Sequence, residues 1–255
     1  MKSKPNVSVR AALVVSATAA LCACAAPRDP ELEKQVILAR QAPKQVDEAD
    51  DGGPPQIATV PTRPTRTFSG EEIARLLAAV PGTGDKLVAT ITTAQGAITC
   101  TLDERAPQTV ANFVGLATGQ LEWKPLPDDP PRTTAFYDGL SFHRVVNEFI
   151  IQTGNPTGKA GAGPGWRLGR EQGATDLFQQ AGAMGMIDDG DAMHGSQFFI
   201  TAKPDRGLAN TYNAFGRCAE VDLVKAISKA EKKPNDPKAP MDPVSIRSIT
   251  VERRP

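Results

Sequence analysis

Phe142-His143-Arg144-Val145-Val146-Asn147-Glu148-Phe149-Ile150-Ile151-Gln152 is the stretch on which the reading of this chain turns. Its β-branched and aromatic residues predict a strand over about 141–151. Arg144 lies there between apolar neighbours. A lone arginine is ordinarily a solvated surface charge, and that explanation fits poorly inside an apolar strand, so Arg144 is a candidate functional group. Alternation along a strand sends His143 to the face opposite Arg144, which makes a structural role the expectation for that histidine.

Working outward, the sequence predicts many short strands joined by Gly-rich turns, near 195–201, 214–220 and 244–251. Upstream, the apolar runs 87–92 and 97–102 flank Ala94-Gln95-Gly96, the pattern of a tight hairpin. Pro107 then opens a helix that places Val110, Phe113, Val114 and Ala117 at helical spacing. A second helix is predicted over 221–229. Before the hairpin, Ser69-Gly70-Glu71-Glu72 is an S-x-x-E capping box leading into Ile73, Leu76, Leu77 and Val80, a short amphipathic helix stopped by Pro81-Gly82. Mainly β order with a helix near each end predicts a barrel capped by two helices. Phe113, Phe142, Phe198 and Phe215 are expected in its core.

The opening stretch, with Gly154-Asn155-Pro156-Thr157-Gly158 and Gly163-Pro164-Gly165 after it, resembles the signature of the cyclophilin family. A second block, Gly195-Ser196-Gln197-Phe198-Phe199-Ile200-Thr201, with Tyr212 and Phe215-Gly216-Arg217 at fitting distances, resembles the same family independently. The resemblance spans most of 85–252. It implies a closed antiparallel eight-stranded β-barrel capped by two helices, working as a peptidyl-prolyl cis-trans isomerase without cofactor or metal. It also implies a pocket for the proline ring formed by Phe149, Met186, Phe199 and Leu208. Gln152 would bond the substrate backbone, the backbone of Asp188 would pair with an extended peptide, and Gln197 would line the neighbouring cleft. Tyr212, where many members carry histidine, keeps an aromatic wall. Gly207 stands where many members carry a tryptophan that contacts cyclosporin, so weak drug binding is expected. Residues 122–135, with Trp123 and four prolines, are read as an insertion forming a tolerated surface loop. The acidic run Asp188-Asp189-Gly190-Asp191 predicts a preference for neutral or basic residues beside the proline.

The chemistry accounts for Arg144. An X-Pro amide is planar because the prolyl nitrogen lone pair is delocalised, and rotation costs about 20 kcal/mol. In the twisted form the nitrogen becomes pyramidal and accepts a hydrogen bond, so a fixed guanidinium binds the transition state better than either planar isomer. No proton moves, which leaves neither His143 nor His194 an acid–base task, and Ser196 has no triad context. A second reading is a proline-peptide binding module with little turnover, which would not require the guanidinium.

The 29 basic and 29 acidic residues cancel, giving no overall field to draw nucleic acid. Two histidines and four cysteines without paired metal-ligand spacing argue against a metal site. At the N-terminus, Lys2, Lys4 and Arg10 precede an apolar run, residues 11–20, too short for a permanent span. Leu21-Cys22-Ala23-Cys24 resembles a bacterial lipobox, so residues 1–24 are expected to be a lipoprotein signal peptide with Cys24 lipidated. Cys22 is disfavoured because Leu21 would precede the cut, and cleavage near Ala26 is the soluble alternative. Residues 25–67, rich in Pro, Gln, Asp and Arg, are expected to form a flexible tether, followed by a helical extension over 68–84. The expected protein is a monomer anchored to a membrane of the cell envelope, facing the periplasm or exterior, with proline-containing segments of envelope proteins as partners. Export would permit a disulfide between Cys100 and Cys218, two reduced core thiols being the alternative.

Overall fold

The computed structural model describes residues 63–255. The signal segment, Cys24 and nearly all of the expected tether lie outside the described residues. The elements are β1 (Thr65–Arg66), α1 (Gly70–Ala78), β2 (Lys86–Thr93), β3 (Gly96–Leu102), α2 (Pro107–Ala117), β4 (Arg144–Val146), β5 (Ile150–Thr153), β6 (Arg167–Leu168), β7 (Ala183–Asp188), β8 (Met193–Thr201), β9 (Ala214–Cys218), α3 (Val221–Ser228), β10 (Lys232–Lys233), β11 (Asp236–Pro240) and β12 (Ile246–Arg254). Two 3₁₀ turns, Thr175–Gln179 and Arg206–Asn210, precede β7 and β9 respectively.

The fold is mainly β, as the sequence predicts. The hairpin forms with a two-residue turn at Ala94–Gln95, and Gly96, at φ 142°, supplies a backbone conformation that a side chain would resist. Its strands continue into the order β12-β2-β3-β9-β7-β8. At β8 the sheet branches: Met193 and His194 pair with β6, and Phe198 to Thr201 pair with β5, which carries β4. The expectation of a closed eight-stranded barrel is corrected here. Ten strands share one branched sheet, and its ladder is open between β4 and β12. Loop hydrogen bonds bridge that gap, Phe142 N donating to Val244 O at 3.0 Å and Ile246 N to Leu140 O at 2.7 Å.

Period-two alternation builds two apolar layers from one sheet. Val145, Ile151, Ile200 and Met184 point inward, joining the main core with Phe113, Phe142, Phe198 and Phe215, all fully buried. Phe113 on α2 lies 5.4–5.5 Å from the rings of Tyr137, Phe198 and Phe215. The outward face carries a second, smaller cluster: Ile150, Phe178, Ile187, Phe199, Leu208, Tyr212 and Ala214, with Phe149 partly buried against it.

The order begins earlier than the tether boundary predicts, since Thr65–Arg66 forms β1, paired parallel with β6. Arg66 lies between the Phe68 and Trp166 rings, 4.5 and 4.6 Å from their centroids. Ser69 caps α1 by accepting a bond from Glu72 N at 3.1 Å. The Glu72 carboxylate does not close the box back on the cap; it pairs with Arg66. Gln108 on α2 holds Phe68 at both ends of its amide, Phe68 N donating to Oε1 at 2.6 Å and Nε2 donating to Phe68 O at 2.9 Å. Cys100 and Cys218, fully buried register partners on β3 and β9, are joined in a disulfide.

Candidate active site

Antiparallel register sets the site. Arg144 lies opposite Gln152, Gln152 opposite Phe199, Phe199 opposite Gly185, and Gly185 opposite Ala214, in one row across β4, β5, β8, β7 and β9. Residues directly opposite in register share a face, so a guanidinium, an amide and a phenyl ring stand side by side outside the main core. Gly185 makes room: a Cβ there would lie 2.4 Å from Phe199 Cζ and 3.0 Å from Phe178 Cζ. The Phe199 ring consequently lies down over the sheet, stacked on Phe178 at 6.0 Å and met edge-on by Tyr212 at 5.1 Å. Leu208, from the turn Arg206–Asn210, completes an apolar wall with Ile150.

Arg144 is 4% exposed and Gln152 1%. Gln152 Nε2 donates to Gln197 Oε1 at 3.0 Å, the diagonal neighbour on β8. His143 departs from expectation. β4 begins only at Arg144, so strand alternation does not govern His143, and its ring bonds to Gln197. Burial, with Arg144 next, pulls the His143 pKa down to about 4, leaving the ring neutral. Burial likewise pushes the Tyr212 hydroxyl up to about 12, against the pull of Arg144.

The structure brings Arg144, Phe149, Gln152, Gln197, Phe199, Leu208 and Tyr212 to this face. It does not bring Met186 there. Gly185 and Ile187 face outward, so alternation turns Met186 inward, where it is fully buried opposite Phe198. Asp188 ends β7 with its carboxylate accepting from Arg170 Nη2 at 2.8 Å. Ile150, Phe178 and Gly185 were missed. Ile150 was legible as the residue two before Gln152, whereas no local pattern marks Phe178, which a separate turn delivers.

The acidic rim is neutralised. Asp188 pairs with Arg170, Asp191 pairs with Arg167, and Asp189, pushed up by burial, sits in the field of Arg167 and Arg63. The predicted preference for basic neighbours loses its basis. Positive charge gathers instead beside Phe149: Lys203 Nζ lies 5.5 Å from its centroid, and Glu148 faces Lys229 at 2.7 Å with Lys225 and Lys203 nearby.

Residues 122–135 are built into the fold rather than laid on it. Trp123 is buried, donates from Nε1 to Thr134 O at 2.9 Å, and packs edge-on against Phe136 at 4.6 Å. Lys124 N donates to Pro164 O and Gly163 N to Pro125 O, fastening the segment to the Gly-rich loop behind β8. Among the described residues, no group of three or more His, Cys, Asp or Glu is placed to share a metal ion.

Comparison with known proteins gives a consistent result. A family model described as cyclophilin type peptidyl-prolyl cis-trans isomerase/CLD matches residues 88–251. Peptidyl-prolyl cis-trans isomerase B of Streptomyces anulatus is 36% identical over 173 residues, covering 67% of this chain and 99% of that protein. Peptidyl-prolyl cis-trans isomerase A of Mycobacterium tuberculosis is 39% identical over 167 residues, covering 64% and 91%. The crystal structure of a Cryptosporidium parvum cyclophilin type peptidyl-prolyl cis-trans isomerase superposes with a TM-score of 0.55 at 23% identity, over 67% of this chain and all of that one. The same protein in the presence of the dipeptide Ala-Pro superposes at 0.54, over 66% and 99%. These two structures bear on the fold.

Proposed function

The chain belongs to the cyclophilin-type peptidyl-prolyl cis-trans isomerase family, and from that premise we propose how its own residues turn X-Pro bonds and where in the cell they do so. The row Arg144–Gln152–Phe199 is the observation that carries the mechanism. The proline ring lies on Phe199, Leu208 and Tyr212 with Phe149 at the rim, which strips water from the amide. Gln152 and Gln197 hold the flanking backbone while the other side of the bond rotates. Arg144 donates to the pyramidal nitrogen of the twisted amide. Its burial strengthens that bond, because little solvent competes for the guanidinium. A charge-assisted hydrogen bond contributes about 1.5–3 kcal/mol, or about 10- to 150-fold in rate. Desolvation and fixation of one half of the amide supply the rest.

The clients are proline-containing segments of exported proteins, met in the cell envelope by a monomer anchored through lipidated Cys24 and held off the membrane by the segment that follows. The charged n-region, short apolar run and Leu21-Cys22-Ala23-Cys24 support the anchor. A disulfide between buried Cys100 and Cys218 fits an oxidising compartment.

Isomerisation of a short Ala-Pro peptide by the full chain, with Arg144→Ala as control, tests the mechanism. Acceleration that falls at least tenfold in the variant while peptide binding persists supports it. A folded wild-type chain that binds the peptide without accelerating its isomerisation would establish the binding-module reading instead. For the anchor, Cys24→Ala should move the protein from the membrane fraction to the soluble one, and an unchanged distribution would overturn it.

A further inference from the structure

Beneath the two glutamines lies a residue that the mechanism does not use. His194 on β8 is 3% exposed, and its Nδ1 accepts bonds from Ser196 N at 3.1 Å and Gln197 N at 3.0 Å. Its Nε2 lies 3.2 Å from the Gln197 amide, whose Oε1 accepts from Gln152. With Nδ1 accepting, the hydrogen of the neutral ring sits on Nε2 and is given to the backbone of Ala162, so the imidazole fixes the backbone of Gln197, whose side chain in turn holds Gln152.

The segment that precedes β2 reaches the ring from behind. β1 pairs with β6 and Arg167 of β6 pairs with His194, a sequence of rungs that delivers Arg63 to the ring. A Cβ on Gly163 would lie 2.8 Å from His194 Cε1 and 2.4 Å from Arg63 Nη1, so imidazole and guanidinium share the space a side chain there would fill. Arg63 Nη2 donates to Pro125 O at 3.3 Å, and Arg63 O accepts from Arg167 Nε at 3.1 Å.

We propose that His194 is a positioning residue that orients Gln197 and Gln152 toward the substrate, and that Arg63, from outside the family-matched residues 88–251, holds its ring in place. The proposal rests on the isomerase reading above. Nδ1 shares its lone pair between the two N–H groups only in the neutral tautomer with hydrogen on Nε2, and a guanidinium alongside opposes protonation of the ring. Burial and then Arg63 draw the His194 pKa down to about 3, so the accepting form persists throughout the working range. The segment before β2 is thereby part of the substrate-holding apparatus.

The test uses the full chain and follows Kd for an Ala-Pro peptide by titration, beside KM and kcat for its isomerisation. His194→Leu keeps the bulk and removes the acceptor. It should raise Kd and KM about tenfold with kcat little changed. His194→Asn, whose Oδ1 can accept the same two N–H groups, should stay within about twofold, and Arg63→Gln should raise Kd about threefold. A role in space-filling alone reverses the order, with Leu tolerated and Asn not, and that result overturns the proposal. Should His194→Leu fail to fold, Arg63→Gln decides, and an unchanged Kd overturns it. Because Kd is read independently of turnover, a wild-type chain that binds without catalysis ends the isomerase reading while still deciding this one.

Discussion

Arg144 and Gln152 are register partners across β4 and β5, both almost fully buried on the outer face of the sheet. The guanidinium is thus set by strand pairing, not by a loop, and its neighbour is fixed in turn by Gln197.

Gln152→Ala leaves Gln197 Oε1 without its donor in a site that is 5% exposed. An unmade buried hydrogen bond costs about 1–3 kcal/mol. Urea denaturation should show a loss of that size, and KM for an Ala-Pro peptide should rise several-fold while the twisted-amide step, which depends on Arg144, changes less.

Gly185→Ala should damage the pocket without touching Arg144. The new Cβ would meet Phe199 Cζ at 2.4 Å, forcing the ring up from its stacked position on Phe178. Overpacking of this kind costs about 1–3 kcal/mol. A weakened peptide Kd with a lowered urea midpoint is the expected pair of readings.

Cys100 and Cys218 close a loop with a sequence separation of 118. The chain-entropy account then assigns the bond about 5 kcal/mol. Denaturation with and without a reductant should differ by that amount, and the double alanine variant should match the reduced chain and ignore the reductant.

One buried imidazole and one partly buried imidazole make stability depend on pH. In the fold His143 is drawn down to about 4 and His194 to about 3, whereas both protonate near 6.5 when unfolded. Below that pH the unfolded chain binds more protons, so their contribution is complete above 6.5 and is lost as pH falls toward 4. Between those limits the slope approaches about 2.7 kcal/mol per pH unit for the pair. Unfolding free energies measured from pH 4.5 to 7.5 should rise with pH, and the His143→Phe variant should show half the slope.

Charge beside Phe149 predicts substrate preference. Lys203, Lys225 and Lys229 surround the single carboxylate of Glu148, while the acidic rim at the other end is neutralised by arginines. Peptides with Glu next to Ala-Pro should be turned over about threefold better than those with Lys at low salt, and the difference should fade near 0.5 M salt, as about expected for exposed pairs. A reversed order would show that the acidic run governs after all.

What the sequence by itself determined were the features set by neighbours along the chain. The hairpin turn at Ala94–Gln95, the Ser69 cap, the three α-helices and the inward phenylalanines follow from local spacing and turn chemistry, and Arg144 stood out as a cation in an apolar strand. Tertiary structure decided whatever depends on which strands meet. Met186 was turned inward by its place on β7, and the acidic run was neutralised by Arg63, Arg167 and Arg170 from elsewhere in the chain. The α2 N-terminus has no side-chain cap of its own; Glu171 reaches it from 62 residues away, accepting from Thr109 N at 2.7 Å. Open closure between β4 and β12, and the approach of Arg63 to His194, arise in the same way. Period and propensity act over a few residues, whereas register and ion pairing are settled by contacts whose sequence separation leaves no local trace.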